Sequence, residues 1–150
     1  MKPTRVLLAV DESAASAQAA RRASILFGAS AEFLVIRVSE VPGLWAAHPF
    51  GVAAPLTADE WQSLVEPDEE EIRRRVEEAG VAEAEVLVEI GDPVSQICDA
   101  AEEHDVDVIV VGSHHRGFLE RLLSPSVSGG VVRTSHRPVL VVPEQPSGGS

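Results

Sequence analysis

Short apolar runs rich in branched side chains recur along this chain, and segments with helical spacing of apolar positions separate them. RVLLAV (Arg5 to Val10) is the first run and ends at Asp11. It shows no polar alternation, which suits a strand covered on both faces. Glu12 to Phe27 then places Ala19, Ala20, Ala23, Leu26 and Phe27 on one stripe, the pattern of an amphipathic helix, and Gly28 supplies its stop. EFLVIRV (Glu32 to Val38) predicts a second strand. Ser39 to Leu56 holds three prolines and two glycines without a period and reads as a surface loop.

Thr57 and Glu60 form a capping-box pattern for the next helix. Trp61, Val65, Ile72, Val76 and Ala79 make one face of it, Pro67 predicts a kink or break, and Gly80 ends it. Glu69, Glu70 and Glu71 stand four residues before Arg73, Arg74 and Arg75. That is the favourable orientation for helix ion pairs, worth about 0.2–0.5 kcal/mol each, so this block reads as a solvated face. AEVLVE (Ala84 to Glu89) predicts the third strand. In the following GDP, Asp92 suits an N-cap and Pro93 the first helical position. Val94, Ile97, Cys98 and Ala101 recur at helical spacing, so Cys98 reads as a buried hydrophobe. DVIVV (Asp107 to Val111), a helix from Ser126 to Ser135 and PVLVV (Pro138 to Val142) complete the series, and 144–150 form a flexible tail.

Strands alternating with helices imply a doubly wound, five-stranded parallel sheet with helices on both faces, a Rossmann-like α/β fold. Right-handed crossovers lead to the order 3-2-1-4-5. The order reverses between strands 1 and 4, and ligands of such sheets bind at the carboxyl ends of the strands beside that reversal. Asp11 and Gly112 end those two strands, so distant segments meet there.

The chain has 150 residues, fitting one domain (1–143) before the tail. Twenty-four acids against twelve bases give a formal charge of −12, a field that repels nucleic acid and anionic membranes. One cysteine excludes an internal disulfide and suits a reducing, cytoplasmic setting. No apolar run approaches the roughly 18 residues of a membrane span. MKPTRVLLAVDES reaches an acid too early for a signal peptide.

Charge is uneven, however. Between Gly112 and Pro138 stand four arginines (Arg116, Arg121, Arg133, Arg137), three histidines (His114, His115, His136) and one acid, Glu120. Arg133, His136 and Arg137 read as cations favoured near a helix C-terminus. The loop itself is not a P-loop, because Phe118 and Leu119 occupy the places of the required Lys and Ser/Thr. Nor does VDESAAS, after strand 1, offer a glycine to admit a pyrophosphate. His114 and His115 lack a carboxylate at metal-ligand spacing. No triad orients Ser126, and nothing in the chain activates water, so catalysis has at most a slow nucleotide hydrolysis to rest on.

VLLAVDES, EIGDPVSQICDAAEEHDVDVIVVGSHHRG and LLSPSVSGGVVRTSHRPVLVVP together resemble the universal stress protein family, over about Arg5 to Pro143. The resemblance implies the 3-2-1-4-5 sheet of the adenine nucleotide alpha hydrolase-like group and a homodimer paired through strand 5 (Val139 to Val142), an apolar edge that needs cover. One branch of the family binds ATP through a pattern like G-x2-G-x9-G-(S/T), and another does not bind it. Here Gly112 opens the pattern, His115 and Pro125 replace the second and third glycines, and Ser126 keeps the hydroxyl. The implied ligand is ATP or another adenine nucleotide, held weakly and with magnesium when bound. Asp11 and Val38 would hold the nucleoside. Gly112, His114, Ser126 and the amide of Val127 would hold the phosphates, with His115 a further donor, and Ala9, Val10 and Val111 would line the same site. Pro125 removes one N–H donor but suits a helix start capped by Ser124. Gly129 and Gly130 would cost roughly 1 kcal/mol each in the helix relative to alanine, loosening its first turns. The second reading is a nucleotide-free dimer acting through protein contacts around Trp45.

Overall fold

The computed structural model describes residues 2–11, 13–39, 57–113 and 127–145, and for 60–68 the backbone alone. Five strands, β1 (Arg5–Ala9), β2 (Glu32–Ser39), β3 (Glu85–Ile90), β4 (Val108–Ser113) and β5 (Val139–Pro143), form one sheet. All described pairings are parallel, in the order β3-β2-β1-β4-β5. The helices are α1 (Ala14–Phe27), α2 (Ala58–Glu78), α3 (Pro93–Glu103) and α4 (Val127–Thr134).

Side-chain alternation along each strand splits the core into two layers. On one face Val6, Leu8, Val35 and Val110 meet Ala19, Ala20 and Ala23 of α1 and Ile72 and Val76 of α2. On the other, Leu7, Leu34, Ile36 and Ile109 meet Ile97, Ala100 and Ala101 of α3 and Val131 of α4. Apolar runs without polar alternation have this physical cause: both sides of β1, β2 and β4 are covered.

Four local expectations need correction. Helix α1 starts at Ala14, not Glu12, because Ser13 takes the cap: its backbone is extended and its side chain accepts from the Ser16 N–H. Leu26 is not on the buried stripe. It sits at the stripe's margin beside β5, 55% exposed, whereas Phe27 packs against the core. Helix α2 is not broken at Pro67 and runs unbroken from Ala58 to Glu78. One missing N–H bond does not end a helix that Ile72 and Val76 anchor to the sheet. Of the expected ion pairs, Glu69–Arg73 (2.9 Å) and Glu71–Arg75 (2.7 Å) form, but Arg74 turns to Glu71 and Glu78, each at 2.8 Å. At i−3 and i+4 those two carboxylates lie to either side of Arg74 along the same face.

Arg137 also departs from its expected setting, since it serves the end of α3 rather than that of α4. Its guanidinium donates to both Glu102 carboxylate oxygens (3.1 and 3.0 Å), to Asp105 Oδ1 (3.0 Å) and to the Val106 carbonyl (3.0 Å). Those bonds hold the Glu102 and Asp105 carboxyls below their usual range, with Lys2 assisting at Asp105. A cation over the last turn of α3 also complements its dipole, and the contact fastens the entry to β5 onto the preceding crossover.

Gly130 has a packing reason. A Cβ there would lie 2.6 Å from Val94 Cγ2, so the missing side chain lets α4 close on α3. The helix-propensity cost expected from the sequence therefore accompanies a tight interhelix approach.

Candidate functional site

Where β1 has β2 on one side and β4 on the other, the strand tips part and leave a cleft of about 130 Å³. Its walls are assembled from six elements, β1, β2, β4, α1, α3 and α4. Ala9, Val10 and Asp11 come from the end of β1 and the turn after it, Val38 from the end of β2, Val111 and Gly112 from β4, and Val127 from the first turn of α4. These seven of the ten candidate residues line one space. The other three, His114, His115 and Ser126, lie outside the described residues, as do Pro125 and Trp45.

The β1–α1 turn is built by its own hydrogen bonds. The Val10 N–H donates to the Ile36 carbonyl at 2.9 Å, which continues the β1–β2 pairing past the last strand residue. Asp11 Oδ1 accepts from the Ser13 N–H at 2.7 Å, and the Asp11 N–H donates to Ser16 Oγ at 2.9 Å. One carboxylate oxygen of Asp11 therefore shapes the turn that opens α1, while the residue stays exposed at the cleft mouth. Asp11 is thus a turn-former placed on the cleft wall.

Gly112 has a structural duty that motif spacing does not reveal. A Cβ built on it would lie 2.7 Å from the Ala15 carbonyl oxygen and 2.8 Å from its carbon. The first turn of α1 rides directly on the tip of β4, and only a glycine leaves room for that backbone.

Not anticipated as cleft residues are Ser13, Ser16, Ile36, Pro93, Ile97 and Ser128. Pro93 and Ile97 arrive because Asp92, capping α3 through the Ser95 N–H and Oγ (2.9 Å each), aims that helix across the ends of β1 and β2. Ser16 and Ser128 are the buried polar residues among those described, at 5% and 7% exposure. A serine on an otherwise alanine-lined helix stripe was the available signal for Ser16. Cys98, on α3, packs against the second core layer. Burial first, then Asp99, Asp92 and Glu102, push its thiol up, the opposite of what a nucleophile needs.

The sheet order, the two-layer core and the cleft at the reversal point define a doubly wound α/β protein of Rossmann type. Residues 3–143 match the model of the Universal stress protein family, and the chain belongs to that family. Universal stress protein MJ0531 of Methanocaldococcus jannaschii is 32% identical over 142 residues, which span 92% of this chain and 81% of that protein. Universal stress protein MJ0577 of the same organism is 37% identical over 73 residues, 49% of this chain; the match spans less than half, 44%, of that relative. The solved structure of MJ0577 superposes with a TM-score of 0.70 at 23% identity, covering 98% of this chain and 100% of that one. A crystal structure of a universal stress protein in complex with cAMP superposes with a TM-score of 0.66 at 25% identity, covering 97% and 100%. Among the described residues no helix is long and apolar enough to cross a membrane.

Proposed function

We propose that this protein is an adenine-nucleotide-binding module whose cleft between β1 and β4 holds the nucleoside end. The observation that carries this reading is the convergence of β1, β2, β4, α1, α3 and α4 on one space at the sheet's reversal point. Family membership and the cAMP complex of a similar structure support an adenine ligand. The volume, about 130 Å³, is below the roughly 300–1,000 Å³ of sites that enclose a whole small molecule. We therefore assign the cleft to a base and sugar. Apolar Ala9, Val38, Ile36 and Val111 suit those groups. The phosphates would leave toward Val127, where the amides that open α4 favour an anion. His114, His115 and Ser126 extend this proposal by motif spacing alone. ATP, with magnesium, is the ligand implied by the degenerate G-x2-G-x9-G-S pattern; cAMP and AMP share its nucleoside end.

Calorimetry of nucleotide-stripped protein with cAMP, AMP and ATP tests this. Heat with any of them is expected, in the weak range for ATP. His115→Gly with Pro125→Gly is expected to tighten ATP about tenfold, because it returns one N–H donor to the phosphates and a hydrogen bond to a charged group is worth about 1.5–3 kcal/mol. Silence with all three nucleotides at millimolar concentration would favour the nucleotide-free reading instead.

We also propose that the protein pairs with a second copy through β5. This strand bonds β4 on one side and forms the sheet's edge on the other, and its Val141 is 37% exposed. An apolar edge of this kind is a liability unless covered. Val141→Lys is expected to shift the protein from dimer to monomer in analytical ultracentrifugation, with its circular dichroism unchanged. A native protein that sediments as a monomer would end this part of the proposal.

A further inference from the structure

The two edges of the sheet differ in chemistry. Edge strand β3 carries Glu85 and Glu89, and acids on an edge oppose pairing with another strand. Edge strand β5, VLVVP, carries no charge. Half of its backbone groups are engaged. The Ile109 N–H donates to the Pro138 carbonyl (2.9 Å) and the Glu144 N–H to the Ser113 carbonyl (2.8 Å), so the even-numbered residues turn their polar groups to β4. By alternation Val139, Val141 and Pro143 turn theirs to the open edge. Of these, Pro143 brings a carbonyl but no N–H.

A second feature adjoins that edge. Ile25 and Leu26, at the end of α1, are 66% and 55% exposed and, with Leu140, Val141 and Val142, line a groove of about 480 Å³. Five large hydrophobics are exposed among the described residues, and three of them, Ile25, Leu26 and Val141, meet in this groove. Single apolar residues scattered on a surface are normal; a cluster beside an open edge marks an interaction site. A strand of five residues is also too small to hold two copies together, since stable interfaces use roughly 20–30 residues a side. The surface that completes such an interface must adjoin β5, and this groove does.

We infer that β5 pairs antiparallel with its copy about Leu140, and that the partner's Leu140 packs into the groove beside Ile25 and Leu26. The inference rests on the β5 pairing proposed above and adds its register and its second contact surface. Antiparallel pairing keeps both grooves on one side of the joined sheet. Pro143 selects the register. A twofold axis at Leu140 sets Val139 opposite the partner's Val141, and each such pair exchanges two N–H···O bonds, which uses every outward backbone group of both valines. An axis at Val141 would instead set Val139 opposite the partner's Pro143, whose absent N–H leaves the Val139 carbonyl unpaired at each end. With the axis at Leu140, that residue faces its own copy in a non-hydrogen-bonded pair, the closer kind, with Cα atoms about 4.5 Å apart. Leu140 lies on the α1 side of the sheet and lines the groove, so the leucine opposite it rises on the same side, next to Ile25 and Leu26. By symmetry each copy gives one leucine and receives one.

Oxidative cross-linking of single cysteines, in full-length protein carrying Cys98→Ala, tests the register, and sedimentation of Leu26→Glu tests the groove. Leu140→Cys is expected to link to its copy in most of the protein under copper phenanthroline, since the two Cα atoms stand within the span of a disulfide. Val141→Cys, about 7–8 Å from its copy in this register, is expected to link at least about tenfold more slowly. Leu26→Glu, at an exposed position and with native circular dichroism, is expected to weaken the dimer at least about tenfold, because symmetry removes the contact twice. That variant decides the matter if Leu140→Cys fails to fold. Linking of Val141→Cys in place of Leu140→Cys, or a Leu26→Glu dimer as tight as the parent's, would overturn this inference and leave the β5 pairing standing. A native monomer, or a native dimer that neither cysteine links, would remove that pairing and this inference with it.

Discussion

Gly112→Ala is expected to destabilise the ligand-free protein by about 1–3 kcal/mol, the usual range for forcing an extra carbon into a packed site. The added Cβ would meet the Ala15 carbonyl oxygen at 2.7 Å. That atom is backbone, held in the first turn of α1, so no flexible side chain can swing away. Relief requires α1 to lift from β4 or the tip of β4 to bend, and both movements distort the cleft whose wall Gly112 forms. Urea denaturation of the purified, nucleotide-free variant measures the effect as a lower midpoint at unchanged slope. A glycine present solely to admit a phosphate would leave the free protein's stability untouched, so a midpoint equal to the parent's would show that the close approach of α1 is not what fixes this residue. Binding is expected to fail as well, because the helix that must move also carries Ser13 and Ser16 of the same cleft.

The elements most legible in the sequence were those whose signal is repeated. RVLLAV and DVIVV announce covered strands through several consecutive residues, and the observed β1 and β4 differ from the expected spans by one residue at the start or end and two at most. The sheet order followed from the alternation of elements and the handedness of crossovers, and seven candidate residues met at one cleft because topology alone brings Asp11 to Gly112. What was not legible depends on single atoms in three dimensions. Asp11, Glu12 and Ser13 all offer cap chemistry, and the choice of Ser13 rests on its reach to the Ser16 N–H. Arg74 had one acid at i−4 but found others at i−3 and i+4. Arg137 looked like an adornment of its own helix and instead clamps Glu102 and Asp105, some thirty residues earlier. Pro93 and Ile97 read as a helix start and a core position; their place on the cleft follows from where α3 crosses the sheet. Gly112 was visible as a glycine, but the backbone pressing on it was not.

The largest expected effects belong to a pair of neighbours. Leu7→Ala and Leu8→Ala are each expected to cost about 2–5 kcal/mol, the range for truncating a buried leucine with only partial collapse around it. Adjacent residues on a strand point to opposite faces, and both are fully buried, Leu7 against α3 and α4 and Leu8 against α1 and α2. In a sheet with one wet face, one of the two substitutions would be close to neutral. Equal and large losses are the signature of a strand with helices on both sides, and two separate denaturation curves suffice to see it. Because the two cavities lie in different layers, additivity is informative too. Side chains without shared partners combine with little coupling, so the double variant is expected to lose nearly the sum of the single losses. Since a typical domain has only about 5–15 kcal/mol to lose, that sum brings it to the edge of unfolding at room temperature. A loss far below the sum would mean that the layers communicate through β1, the strand from whose tip the cleft begins.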